Sequence, residues 1–194
     1  EEDSASLDHY DTYSLIDYNR SGVPLLETVT EPCIHSKEEA LKFLETYRSL
    51  IVYCGVSEAR SDRGQMRCDV NVSISDTDEL GCKVEMKNVN SFYNVGRAID
   101  YEIKRQTEIL EKGGKVEQET RRFDDETGET FKMRSKADAV DYKYFIEPNI
   151  APTPVTDEML DEIRKTIPML QLDRVKKYTS EYELSKYDSE VLVK

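Results

Sequence analysis

The chain has no tryptophan, only two histidines and only four cysteines in 194 residues. His9 and His35, with Cys33, Cys54, Cys68 and Cys82, make no Cys-x-x-Cys pair and no metal-ligand spacing, which argues against a structural zinc site. No apolar run approaches the ~20 residues of a membrane helix, and no signal-peptide pattern is visible. Basic residues are in deficit: 27 Lys and Arg stand against 40 Asp and Glu, for a net charge of -13. General nucleic-acid binding needs cations in excess to neutralise phosphates, so that class is a poor match and only a local basic patch remains open. With 38% hydrophobic residues, the chain is polar yet not depleted enough to stay unfolded. Its length suits one domain, with room for a small appendage. Free cysteines among apolar residues fit a reducing compartment, the cytoplasm or an organelle matrix. The chain does not begin with Met, and it ends on the apolar run Val191-Leu192-Val193 before Lys194, so a piece of a longer protein is expected.

What is present centres on two alternating stretches. In Met66 to Ile74, the residues Met66, Cys68, Val70, Val72 and Ile74 alternate with Arg67, Asp69, Asn71 and Ser73. In Cys82 to Asn90, Cys82, Val84 and Met86 alternate with Lys83, Glu85 and Lys87. Period two places alternate side chains on opposite faces of a strand. The polar link Ser75 to Gly81 suits a strand-to-strand loop. An antiparallel pair would collect Arg67, Asp69, Asn71, Lys83, Glu85 and Lys87 on one face. Alternation alone leaves two readings open: a solvated outer face, or a site, since this residue set suits a phosphate and a metal.

Around that pair the chain reads as α+β. Thr12 to Asp17 and Leu25 to Thr30 have strand composition, joined by the turn-rich Tyr18 to Pro24; Glu27 is the acid within the second. Ser36 with Glu39 forms a capping box for a helix whose stripe is Ala40, Leu41, Leu44, Tyr47, Leu50, Ile51 and Cys54, stopped at Gly55. This helix is expected to cover the sheet. A second helix starts at Asn90-Ser91, buries Phe92, Val95, Ile99, Ile103 and Leu110, and ends at Gly113-Gly114. Val116 to Asp124 and Glu129 to Arg134 read as a hairpin with guanidinium groups on a polar face, either a phosphate reader or ordinary cross-strand salt pairs. Residues 134–154 carry three prolines and read as a long loop. Short helices follow from Thr156. The expected division is 1–154, a sheet-and-helix domain, and 155–194, the start of a helical region. A mainly antiparallel sheet with packed helices is the expected architecture.

Several of these segments resemble one family. Leu15-Ile16-Asp17-Tyr18-Asn19-Arg20-Ser21-Gly22-Val23-Pro24-Leu25-Leu26-Glu27 looks like a signature of the B subunit of aspartyl/glutamyl-tRNA amidotransferase, the GatB/GatE family. Met66 to Ser73, Glu85 to Phe92, Gln118 to Asp124, Met133 to Lys136 and Asp141 to Phe145 match in order. The resemblance implies a glutamine synthetase-like catalytic cradle without its first part. It implies a carbon-nitrogen ligase that uses ATP and Mg²⁺ to activate Glu on tRNA(Gln), or Asp on tRNA(Asn), as an acyl phosphate. Ammonia would come from glutamine in a partner amidase A subunit, with a small C subunit completing a heterotrimer in protein biosynthesis. By match to the family's motifs, the implied catalytic residues are Glu27, Asp69, Glu85 and Lys87. The implied metal set is Glu2, Glu27 and Asp69, and the implied nucleotide-binding set is Arg67, Asn71, Arg134, Asn19 and Arg20. The chain departs from the family pattern at Ser4-Ala5-Ser6, Arg60 to Gly64, Ile146 and Asn149, and the 194 residues alone are expected to be inactive. Two other readings stand beside this one: a non-catalytic scaffold that docks the amidase and tRNA, and a stand-alone ligase of the glutamine synthetase type.

Overall fold

The computed structural model describes residues 5–19, 21–89, 91–135 and 151–193, with the side chains of 5–9, 88, 134 and 135 left aside. The expected loop over 134–154 therefore lies mostly outside the described residues, as do Glu2, Arg20, Asn90, the Asp141 to Phe145 motif, Ile146 and Asn149. The chain divides into two compact units, residues 1–34 and 35–194.

In the first unit, β1 (Ala5–His9) and β2 (Ser14–Asp17) pair antiparallel. The strand expected over Leu25 to Thr30 is absent: residues 23–35 carry no regular element. Pro24 and Pro32 lack the N–H that a ladder needs, and among the described residues of this unit no strand beyond β1 and β2 offers a partner. Leu26 and Val29 are accordingly 76% and 80% exposed.

The second unit is built on a four-stranded sheet in the order β3 (Cys68–Val72), β4 (Val84–Val89), β5 (Glu119–Phe123), β6 (Thr130–Ser135). β3–β4 and β5–β6 are antiparallel, whereas β4–β5 is parallel. A parallel neighbour requires a long crossover, which α2 (Phe92–Glu111) supplies. Ser91 caps α2 by accepting from the Asn94 N–H at 3.1 Å. At its other end Gly113 adopts φ +72°, and the Gly113 and Gly114 N–H groups donate to the Leu110 and Ile109 carbonyls.

α2 covers one face of the sheet. Val95, Ala98 and Ile99 pack with Met86, Val89 and Phe123, and Cys68, Val70 and Val72 border the same core. The expected helix stripe needs correction in its second half. Ile103 and Leu110 are 39% and 40% exposed, while Glu102 and Gln106 are fully buried. The buried face runs Val95, Ala98, Ile99, Glu102 and Gln106, the same helical spacing continued by polar residues.

α1 (Lys37–Tyr53) packs chiefly on α2, where the sequence reading expected it on the sheet. Leu44 alone of its stripe is buried, reaching the common core beside Ala40 and Leu41. A Cβ at Gly96 would lie 3.3 Å from Lys37 Cε and 3.4 Å from Leu41 Cδ1, so this glycine sets how closely the two helices approach. The Ser36–Glu39 box forms in part as expected: Ser36 Oγ accepts from the Glu39 N–H, while the Glu39 carboxylate reaches the His35 N–H at 2.7 Å. The C-terminal segment folds as α3 (Asp157–Thr166), α4 (Gln171–Glu181) and α5 (Lys186–Leu192). The Met159, Ile163 and Ile167 stripe of α3 stays about half exposed. No helix among the described residues is long and apolar enough to cross a membrane.

Candidate functional site

The site is built by register on the sheet face turned away from α2. Two rows cross the strands there. One runs Asn71, Glu85, Thr120, Arg134, each opposite the next. The other runs Lys87, Arg122, Phe131, again in register. Irregularities in the ladder adjust both. Between Cys68 and Val70 a single residue, Asp69, faces two on β4, Lys87 and Asn88. That bulge keeps Cys68 and Val70 opposite the buried Val89 and Met86, and it brings Asp69 beside Lys87. A second shift between Thr120 and Arg121 gives β6 an extra residue and sets Arg134 opposite Thr120.

Three ionisable groups converge in the first of these places. Lys87 Nζ donates to Asp69 Oδ2 at 3.2 Å and lies 3.5 Å from Glu85 Oε1. The other Glu85 oxygen, Oε2, accepts from the Thr120 hydroxyl at 2.9 Å, and Thr120 is itself buried. Glu85 is thus anchored on one side and ion-paired on the other. Burial works against the Lys87 ammonium, but the Asp69 and Glu85 carboxylates outweigh it and raise its pKa. The lysine stays cationic. A shallow depression of about 130 Å³ opens beside the group, lined by Asn71, Lys83, Glu85 and Glu119. Arg122 extends the positive character along the sheet and reaches Asp124 only at 3.8 Å.

A second polar cluster lies on the α2 side, and the sequence reading does not anticipate it. Glu102 is fully buried and receives Arg105 at 2.5 to 3.1 Å and Gln106 and Thr130 at 3.0 and 3.3 Å, with Arg121 Nε at 3.8 Å. Arg121 also pairs with Glu119 at 2.7 Å, and Lys132 reaches Glu119 at 3.0 Å. Gln106 donates a further bond to the Val72 carbonyl at 3.1 Å, at the end of β3. Burial opposes the charge on Glu119, yet Arg121 and Lys132 prevail and hold its carboxyl below the ordinary range. The sequence signal that marks this cluster is the i, i+3, i+4 set Glu102, Arg105, Gln106 together with Glu119 and Arg121 alternating on one strand. The guanidinium of Arg121 therefore belongs to a salt-bridge network, the ordinary one of the two readings of that hairpin arm, while Arg122 faces the opposite way.

Of the expected site residues, the structure brings Asp69, Glu85, Lys87 and Asn71 onto one face, with the backbone of Arg134 in the same row. Arg67 precedes β3, one residue before Cys68. Glu27 and Asn19 belong to the first unit; the Asn19 N–H donates to Asp17 Oδ1 at 2.9 Å, and Glu27 lies in the segment without regular structure. Among the described residues, no three His, Cys, Asp or Glu side chains form a ready metal cage.

Fold and face together define an α+β domain that presents acids, amides and cations on one side of a mainly antiparallel sheet. The model of the GatB/GatE catalytic domain matches residues 1–161, and the chain belongs to that family. It is 50% identical over its whole length to a protein of Ruminiclostridium cellulolyticum and 49% identical to one of Persephonella marina. Over 99% of its length it is 47% identical to one of Staphylococcus saprophyticus. All three carry the name of the B subunit of aspartyl/glutamyl-tRNA(Asn/Gln) amidotransferase. The chain spans 41% of the length of each of these curated relatives.

Proposed function

We propose that this chain carries the activating site of a tRNA-dependent amidotransferase, a ligase that amidates glutamate or aspartate esterified to tRNA. Family membership and the relatives' names support the general activity. The observation that carries the residue assignment is the Asp69–Lys87–Glu85 group on the exposed sheet face.

A carboxylate is a poor acylating agent. In the proposed reaction an oxygen of the misacylated side chain takes the terminal phosphoryl group of ATP, and ADP leaves. Ammonia then attacks the carbonyl carbon and inorganic phosphate departs. The protein must gather anionic phosphate and anionic carboxylate at one place, and hold cations where charge develops. Lys87 offers a point charge kept cationic by its neighbours. Arg122 and Arg67 add planar donors for phosphate oxygens, Asn71 offers amide donor and acceptor, and Arg134 takes the end of the same row. Asn19 and Arg20 complete the nucleotide-binding set in this reading.

The donor chemistry fits magnesium, a hard cation that takes oxygen ligands and keeps several waters. Asp69 and Glu85 already share one cationic atom; the family's motifs are what assign Asp69, Glu27 and Glu2 as the proposed ligand set. When bound, Mg²⁺ supplies neutralisation of phosphate oxygens. Thr120 holds Glu85 in orientation, so the oxygen that faces Lys87 is presented without rotamer search. An amidase A subunit supplies ammonia from glutamine, and a small C subunit completes a heterotrimer.

Asp69→Asn in the assembled enzyme is expected to abolish ATP-dependent amide formation on tRNA while the amidase's glutaminase activity stays measurable. Unchanged amidation would remove Asp69 from the site. ATP hydrolysis stimulated by misacylated tRNA and not by free glutamate separates this reading from a stand-alone glutamine synthetase-type ligase; absence of any ATP hydrolysis would favour a scaffold.

A further inference from the structure

Resting on the cation–phosphate reading of this face, we propose that Lys87 competes with a divalent cation for the Asp69 and Glu85 carboxylates, so that its ammonium sets the cation affinity of the face and leaves for a phosphate oxygen as the cation seats. One nitrogen lies 3.2 Å from Asp69 Oδ2 and 3.5 Å from Glu85 Oε1. Two carboxylates brought to one cationic atom have room for one such centre between them, and two positive charges there would repel by several kT. The lysine is equipped to leave. Its ammonium is a compact charge on a flexible stem, and its side chain is 37% exposed. Glu85 stays when Lys87 goes, because the buried Thr120 hydroxyl grips its other oxygen at 2.9 Å. The bulge at Asp69 fixes the backbone on the other side. Arg122, the next cation in register, pairs with Asp124 instead and provides an internal comparison: same face, same sign, different partner.

The competition has a direction. Removing the ammonium frees both carboxylates for the cation, whereas removing the neighbouring guanidinium only lowers the general positive field. The test is a titration with Mn²⁺ alone, without nucleotide, on the full chain, reading free Mn²⁺ by electron paramagnetic resonance. Loss of a binding class in Asp69→Asn identifies the site. Lys87→Met is expected to tighten that class about tenfold, and Arg122→Met to change it by less than about threefold. If Lys87→Met does not fold, Lys87→Gln carries the same expectation. Unchanged affinity in the Lys87 variants, with wild-type binding measurable, overturns the competition alone. Equal tightening by the Lys87 and Arg122 variants also overturns it, assigning the effect to the field of the face. No Asp69-dependent Mn²⁺ binding in any of the proteins, Lys87 variants included, overturns the cation site itself, and the competition with it.

Discussion

Cys68 and Asp69 are adjacent on β3 and meet opposite environments. Burial, aided by the Asp69 charge, pushes the Cys68 thiol up to about 11. The thiolate is the reactive form, so at pH 8 only on the order of one Cys68 in a thousand is nucleophilic. Cys33, by contrast, is exposed. Alkylation by iodoacetamide at pH 8 should modify Cys68 at least about tenfold more slowly than Cys33, as mass spectrometry of timed samples would report. Equal rates would contradict the face assignment. The assignment of these faces was legible in the sequence, because strict alternation of Cys68, Val70 and Val72 with Asp69 and Asn71 has one structural meaning. The proximity of Asp69 to Lys87 was less legible. It depends on one extra residue in β4, and no period in the sequence marks a bulge.

The elements show where apolar counting fails. Ile103 and Leu110 of α2, expected inside, lie at the surface, while Glu102 and Gln106 are inside. Periodicity locates the correct helix and its caps; it misplaces the second half of the face because the buried positions there are polar. Glu102 is tolerated because partners on α2, β5 and β6 surround its carboxylate, and the Gln106 amide N–H donates both to it and to the Val72 carbonyl, although the buried Gln106 Oε1 meets no partner among the described residues. A buried charge network of this kind is sensitive to losing one member. Glu102→Ala removes the buried carboxylate and leaves Glu119 to pair both Arg105 and Arg121, and is expected to destabilise the fold by about 3–5 kcal/mol in urea titration. A loss below about 1 kcal/mol would mean the network is not energetically coupled. Glu119 adds a pH dependence. Its carboxyl lies below the ordinary value of 4.5, so its stabilisation is complete above that value and is lost as pH falls through the depressed one. Thermal stability should therefore decline as pH drops from about 5 towards 3, and less steeply in Glu119→Gln. A Glu119→Gln melt with the wild-type slope would contradict this. In the first unit, strand composition at Leu25 to Thr30 was not enough to make a strand, since a strand also needs a partner edge.

At the scale of the molecule, charge and fold point the same way. The net charge of -13 leaves no general attraction for phosphate backbones, so cations must be local, and the sheet face supplies them as Lys83, Lys87 and Arg122. Non-specific RNA retention at physiological salt is expected to be weaker than about 100 μM, the loose end of the usual non-specific range, in a filter-binding assay. Tighter retention would place a basic surface outside the described face. The fold class and the family were both readable from the sequence, the first from periodicity and the second from ordered motifs such as Met66 to Ser73. The assignment of Glu27 to the same site as Asp69 rests on the family's motifs and on no local pattern. The role of Asp69 and Lys87 is decided by a structure of the full chain with Mn²⁺ and a non-hydrolysable ATP analogue. The expected result is an anomalous peak bonded to Asp69, with Lys87 drawn off the carboxylates onto a phosphate oxygen. Metal and nucleotide bound elsewhere, with the Asp69–Lys87–Glu85 group unchanged, would contradict it.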